Sequence, residues 1–190
     1  VKIELCNGKK HNPLSLGLMK DLTSSLNEIS ARPNVRVLII SSEGPGFSAG
    51  HDLGELRRNK NDKDFFKSLF NECSNLMQTI MNLSQPVIAE VCGIAAAAGC
   101  QLVASCDLAV ASEQASFMTP GVNIGLFCST PMVAVSRNIS RKKTMEMLLT
   151  GEKISAVEAV DFGLINHCVS FEKLENKTMD LANLIVSKPL

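Results

Sequence analysis

The sequence predicts an α/β domain, and three observations carry that prediction. Val35–Ile40 and Val87–Cys92 are almost continuous runs of β-branched and apolar residues. Such runs mark strands covered on both faces, and hence a parallel sheet. Between them, apolar residues recur every three or four positions, the period of an amphipathic helix. Strands and helices alternate along all 190 residues without an internal repeat or linker, so residues 1–190 form a single domain with its own core.

The elements follow in order. Val1–Leu5 alternates like a strand and turns at Asn7-Gly8. Pro13 and Ser15 precede a helix whose inner face is Leu18, Leu22, Leu26 and Ile29. Ala31-Arg32-Pro33-Asn34 ends it and the strand Val35–Ile40 follows. A glycine-rich loop, Glu43–Asp52, comes next, then a charged segment from Arg57 to Lys63. The long helix after it carries Phe66, Leu69, Phe70, Cys73, Leu76, Met77 and Ile80 on one side. Pro86 opens the strand Val87–Cys92, and Ala95–Cys100 is a run of small residues that leads into a short helix. Asp107–Ala111 reads as a strand, 120–131 as a loop, and a helix starts near Pro131. Ser155-Ala156-Val157-Glu158 has capping-box spacing and opens a helix that stops before Gly163. Leu164–Val169 is a last strand and Lys173–Val186 a last amphipathic helix.

Composition narrows the possible functions. The 19 basic and 19 acidic side chains cancel, and all eight aromatics are Phe, so the chain has neither a broad basic face nor a stacking platform for nucleic acid. The richest apolar window, Val87–Val110, is interrupted by Glu90, Gln101 and Asp107, short of the ~18–20 residues a membrane span needs. Nothing in the first residues reads as a signal peptide. Seven cysteines at irregular spacings, with no Cys-x-x-Cys, read as buried free thiols in a reducing compartment. His11, His51 and His167 show no metal-ligand spacing with them, so no metal is expected.

Two places combine a strand end, small residues and a helix start. The loop Gly44–Asp52 has the spacing Gly-x-Gly-x-x-x-Gly with Pro45 inside it, and the region that should supply a dinucleotide-binding acid reads as helix. In Ala95–Gly99, a strand hands over to a helix whose first N–H groups lack internal partners and suit an anion or a developing oxyanion. Small residues there also allow tight packing of helix on sheet, and from the residues alone both uses stay open.

Gly46-Phe47-Ser48-Ala49-Gly50-His51-Asp52-Leu53, Pro86–Gly93, and Ala97-Ala98-Gly99-Cys100-Gln101-Leu102 together resemble the crotonase (enoyl-CoA hydratase/isomerase) superfamily. Cys106–Ala111, 149–156 and His11–Ser15 add to the likeness, and Gly121–Pro131 resembles one branch of the family in particular. The resemblance implies a spiral of ββα repeats, an acyl-CoA thioester as ligand, and homotrimers that pair into hexamers. It implies no cofactor other than coenzyme A as part of that ligand. Two backbone N–H groups, of His51 and Ala98, would polarise the thioester carbonyl, while Ala49, His51, Asp52 and Leu53 hold the adenine and the thioester arm. The His51 side chain would point away while its N–H works. The family also carries C-terminal trimerisation helices that this chain would largely lack, leaving apolar surface that favours association with other copies.

At the two positions where the resemblance expects catalytic glutamates, this chain has Gln101 and Gly121. Water addition needs a base for the water and an acid for the α-carbon, and neither an amide nor a glycine supplies one. Gln101→Glu and Gly121→Glu would return the carboxylates if the loop at Gly121 accepts a side chain. Ser129 and Thr130 could bind an acyl carboxylate or orient a water, although helix capping is the commoner use of such residues. Thr119 and Asn123 would satisfy loop backbone, and Asp107 would be a buried, paired carboxylate. The expectation is an acyl-CoA-binding protein with an oxyanion site and no hydration machinery, or a non-catalytic thioester-binding or scaffold subunit. Bacterial cytoplasm and mitochondrial matrix both suit it.

Overall fold

Residues 1–189 are described by the computed structural model, in which the strands divide between two sheets. Numbered in chain order, β1 (Lys2–Leu5), β2 (Leu38–Ser42), β4 (Val87–Val91), β6 (Leu108–Ser112) and β9 (His167–Val169) form a five-stranded, wholly parallel sheet in that order. A second, four-stranded sheet has the order β3 (Gly46–Ser48), β5 (Ile94–Ala96), β7 (Ser116–Met118), β8 (Ile154–Ser155). Its first three strands are parallel and β8 runs antiparallel to β7. Three passes, β2–β3, β4–β5 and β6–β7, give one strand to each sheet before a helix returns the chain. After β2 and β3 come α2 (Leu53–Arg58) and α3 (Lys63–Asn82), and after β4 and β5 comes α4 (Ala98–Ser105). After β6 and β7 come α5 (Ser129–Val135) and α6 (Arg141–Thr150). This is the ββα spiral that the sequence implies.

The pleat of the large sheet decides which residues face which layer. Leu38, Ile40, Val87, Ala89, Val91, Ala109 and Ala111 face the main core, with Phe47, Ala95 and Phe117 of the small sheet. Helices α1 (Leu16–Ser30) and α3 close this core through Met19, Leu22, Leu26, Leu69, Leu76 and Ile80. On the other face Val37, Ile39, Ile88 and Val110 pack on Leu174 and Ala182 of α8 (Phe171–Val186). The β-branched runs are thus buried on both faces, as a parallel sheet requires.

The boundaries differ where tertiary pairing overrides local pattern. Strand β2 begins at Leu38 rather than Val35, because Val35 N–H closes a turn on Arg32 O at 3.1 Å and Lys2 aligns with Ile39. The glycine-rich loop and the run of small residues each contain a three-residue strand, β3 and β5. Strands that short have too few residues to show a period of two. Helix α5 starts two residues before Pro131, which sits in the first turn where its missing N–H costs nothing. Leu164 and Ile165 are not strand; their N–H groups close α7 (Ala156–Phe162) on Ala159 O at 2.8 and 3.2 Å. Asp107 is exposed rather than buried and paired with a cation, and its Oδ2 accepts the Val87 N–H at 2.8 Å. All seven cysteines are free thiols, but Cys6 is exposed and only Cys73, Cys100 and Cys128 are fully buried. The Ser155–Glu158 capping box is present.

One charge lies inside the α8 layer. Glu90 on β4 aligns with Val110, and its Oε1 takes Lys2 Nζ at 2.8 Å while Oε2 has no partner. Burial alone would lower the Lys2 pKa, but the hydrogen bond and charge of Glu90, with Glu175 adding, hold it above the ordinary lysine value. Removing one member of such a pair strands the other charge. Lys2→Met should therefore destabilise the fold by about 3 kcal/mol, the low end for a buried pair because Lys2 remains one-third exposed. The double variant Lys2→Met/Glu90→Met should recover most of that loss, as urea denaturation curves of the three proteins would show.

Candidate functional site

Adjacent parallel strands end on the same edge, so the loops that leave them meet there. Here β3 and β5 are neighbours, with Ser48 aligned to Ala95. The first is followed by Ala49-Gly50-His51-Asp52 and the second by Ala97-Ala98. The two loops touch through backbone. Gly50 has φ +84°, and a Cβ on it would lie 2.8 Å from Ala96 O, 3.0 Å from the Ala97 methyl and 3.1 Å from Ala98 N. A Cβ on Gly99 would lie 2.3 Å from Ser48 O. Neither position tolerates a side chain, and that is what brings the strand ends together.

A third segment splints this contact from outside. Asn12 is fully buried at φ 48°, where asparagine is tolerated better than most residues. Its Nδ2 donates to Glu43 O at 3.0 Å and Gly46 O at 2.9 Å, and its Oδ1 accepts from Asn7 N at 2.8 Å. Ser48 Oγ donates to Asn12 O at 2.8 Å, Ala49 N–H to His11 O at 2.8 Å, and Leu14 N–H to Gly50 O at 2.8 Å. The residues alone assign Asn12 no role, because the acceptors of its Nδ2 lie more than 30 positions away.

Helix α4 is buried over its whole length, and the nitrogen of Ala98, its first residue, is the atom 3.1 Å from a Cβ on Gly50. Among the described residues neither Ala98 N–H nor His51 N–H donates to an acceptor. The His51 imidazole is engaged elsewhere: Nδ1 lies 3.3 Å from Leu14 O and the ring meets Phe70 edge-on at 5.5 Å. Burial lowers its pKa, against smaller raising effects of the Leu14 carbonyl and Glu55. Asp52 is spent on capping α2, where Oδ1 accepts from Gly54 N at 2.8 Å and Glu55 N at 3.1 Å. Ala49 and Leu53 are exposed beside it.

Gln101 and Gly121 bring no ionisable group to this region. Gln101 is buried, and the Cys73 thiol donates to its Oε1 at 4.0 Å. That thiol is pushed up to about 11 by burial, so it stays protonated. Gly121 lies in the 3₁₀ turn Pro120–Ile124, and its N–H donates to Cys128 Sγ at 3.3 Å. A Cβ there would sit 2.6 Å from Leu126 O and 2.8 Å from Cys128 Sγ. The loop therefore has no room for a glutamate, and the obstacle is this contact rather than a positive φ. Ser129 is the exposed first residue of α5, and Cys128, not a hydroxyl, holds the capping position without a side-chain cap bond. Thr119 satisfies a helix carbonyl rather than loop backbone, donating to Met147 O of α6 at 2.9 Å. Among the described residues no three His, Cys, Asp or Glu side chains gather as a metal site.

The chain is similar to known proteins along nearly its whole length. Residues 1–190 match the family model for enoyl-CoA hydratase/isomerase. The human "Enoyl-CoA hydratase domain-containing protein 3, mitochondrial" is 52% identical over 185 residues, which are 97% of this chain and 61% of that protein. The Danio rerio protein of the same name is 49% identical over 97% of this chain and 63% of its own length. The crystal structure of the human protein superposes with a TM-score of 0.94 at 51% identity, covering 98% of this chain and 73% of that one. An enoyl-CoA hydratase from Mycobacterium smegmatis gives a TM-score of 0.94 at 42% identity, covering 99% and 74%. The chain spans about 61% of the length of the mammalian relatives.

The engaged His51 ring has a measurable consequence. A depressed pKa means that the folded state binds fewer protons than the unfolded one. The contribution of His51 to stability is then full above its ordinary value of 6.5 and is lost as pH falls through the depressed one. An NMR titration should place the His51 midpoint below 6.5. His51→Gln should lose less stability than the parent between pH 7 and about pH 5.

Proposed function

The chain belongs to the enoyl-CoA hydratase/isomerase family, and from that premise we propose that it binds an acyl-CoA thioester and polarises its carbonyl between the N–H groups of His51 and Ala98. One observation carries the reading: the backbone contact of Ser48–Gly50 with Ala97–Gly99, bordered by two donors that no protein acceptor uses. Two fixed N–H groups stabilise an oxygen that gains negative charge far better than mobile water does, because no reorganisation is needed when the charge forms. The CoA arm would run along Ala49, His51, Asp52 and Leu53. Of these, Asp52 acts by capping α2 and so fixing the loop.

Hydration does not follow from this arrangement. A water nucleophile and an α-carbon both need proton transfer, and Gln101 and Gly121 offer none. The alternative of a non-catalytic thioester-binding or scaffold subunit draws support from the same place. The Gln101 amide is tied to Cys73, and Cys128 fills the space beside Gly121. We further propose self-association into trimers or hexamers. Ile124, Leu126, Phe127 and Val133 stand 44–62% exposed along one stretch, more apolar surface than scattered single residues present. The names of the relatives favour a mitochondrial over a bacterial cytoplasmic setting. Among the described residues no helix is long and apolar enough to cross a membrane.

Hydration of crotonyl-CoA should fall several orders of magnitude below competent enzymes, since each acid–base group typically contributes about 10²–10⁴-fold. A kcat/KM in the ordinary range of about 10⁴–10⁸ M⁻¹s⁻¹ would overturn this. Gln101→Glu with Gly121→Glu should not restore hydration and should lower the melting temperature, because the new side chain at 121 displaces Leu126 and Cys128. Light scattering at micromolar concentration should report a mass above that of one chain, and a monodisperse monomer would count against assembly.

A further inference from the structure

Among the described residues only His11, Asn12 and Ala97 hold a positive φ without being glycine. The first two belong to a polar turn whose side chains hydrogen-bond or face solvent. Ala97, at φ 49° and ψ −117°, has neither excuse. An alanine there is strained, since its methyl crowds its own backbone where glycine would not. Two hydrogen bonds hold it in place. Ala97 N–H donates to Met118 O at 2.9 Å, and Ala97 O accepts from Gln101 N at 3.0 Å. In a trans peptide the C=O and the following N–H point opposite ways. With the Ala97 carbonyl turned into the helix, the Ala98 N–H is aimed out of its N-terminus.

The strained methyl also has a position. It lies 3.0 Å from where a Cβ on Gly50 would sit, and so occupies the side of the residue directly before His51 that a side chain there would take. We propose that Ala97 is a positioning residue whose methyl group sets the separation of the two carbonyl-binding amides by wedging against Gly50. The inference rests on the thioester-binding reading above and adds a residue that touches neither ligand nor donor hydrogen.

The test compares the full chain with Ala97→Gly and Ala97→Ser, using butyryl-CoA labelled with ¹³C at the carbonyl. Ala97→Gly should melt at a higher temperature, because the strain is relieved. It should nevertheless bind the probe roughly two- to tenfold more weakly, about the worth of one neutral hydrogen bond. Its bound carbonyl stretch should also shift less from the solution frequency than the parent's. Ala97→Ser keeps the Cβ and should keep both the affinity and the shift. A merely structural residue would move the melting temperature and leave the carbonyl band alone. Parent-like affinity and band position in Ala97→Gly would overturn the positioning role while leaving the binding site intact. A lower melting temperature in Ala97→Gly would overturn its premise of strain. Failure of the parent to bind butyryl-CoA would overturn both this role and the thioester reading.

Discussion

Everything at the site depends on two strand ends meeting without side chains between them. Gly50 and Gly99 are the residues that permit it, since a single methyl at either would collide with carbonyl oxygens of the facing segment. Once the backbones touch, the remaining features follow as consequences. Helix α4 starts at Ala98 beside the contact, and the chain leaving β3 runs through it to Asp52, the cap of α2. The splint through Asn12 then holds the β3 side from outside, with hydrogen bonds that reach across more than 30 residues of sequence. Buried amides of this kind rigidify because leaving any one bond unmade costs about 1–3 kcal/mol.

The two sheets divide the labour. The large sheet is an insulated scaffold, covered by α8 on one face and by the main core on the other. Its one anomaly, the Lys2–Glu90 pair, lies in the α8 layer on a different sheet from the site loops. The small sheet contributes three-residue strands whose carboxyl ends carry the site loops. A ββα spiral makes this possible, because each turn returns a scaffold strand and a site strand in immediate succession. Backbone amides as donors are insensitive to side-chain identity, so the proposed carbonyl site does not depend on the ionisable groups around it.

That separation explains the chemistry at positions 101 and 121. At the first, a neutral amide sits in the interior with a protonated thiol as its neighbour. At the second, the loop has closed over the glycine, and a thiol and a carbonyl occupy the volume of the missing side chain. Neither position supplies an ionisable side chain, and the proposed carbonyl site would rest on fixed backbone dipoles rather than on proton transfer.

Some of this was legible in the residues themselves. The β-branched runs at Val35–Ile40 and Val87–Cys92 announced a parallel sheet because burial on both faces leaves no polar alternation. Ser155 and Glu158 announced a helix start because capping is a local, four-residue interaction. The absence of carboxylates at 101 and 121 was also plain, since it concerns residue identity alone. Strands β3, β5, β7 and β8 were not legible: with two or three residues each, their conformation is set by hydrogen-bond partners far away in sequence. The same holds for Asn12, whose partners at Glu43 and Gly46 no local pattern reveals, and for the closed loop at Gly121. The sequence by itself determined the sheet class, the helix caps and the chemical groups on hand, because these rest on periodicity and identity. Only the tertiary structure decided that Ala97 holds a positive φ beside Gly50 and that a side chain at 121 has nowhere to go, because both depend on contacts between segments that meet only in the fold.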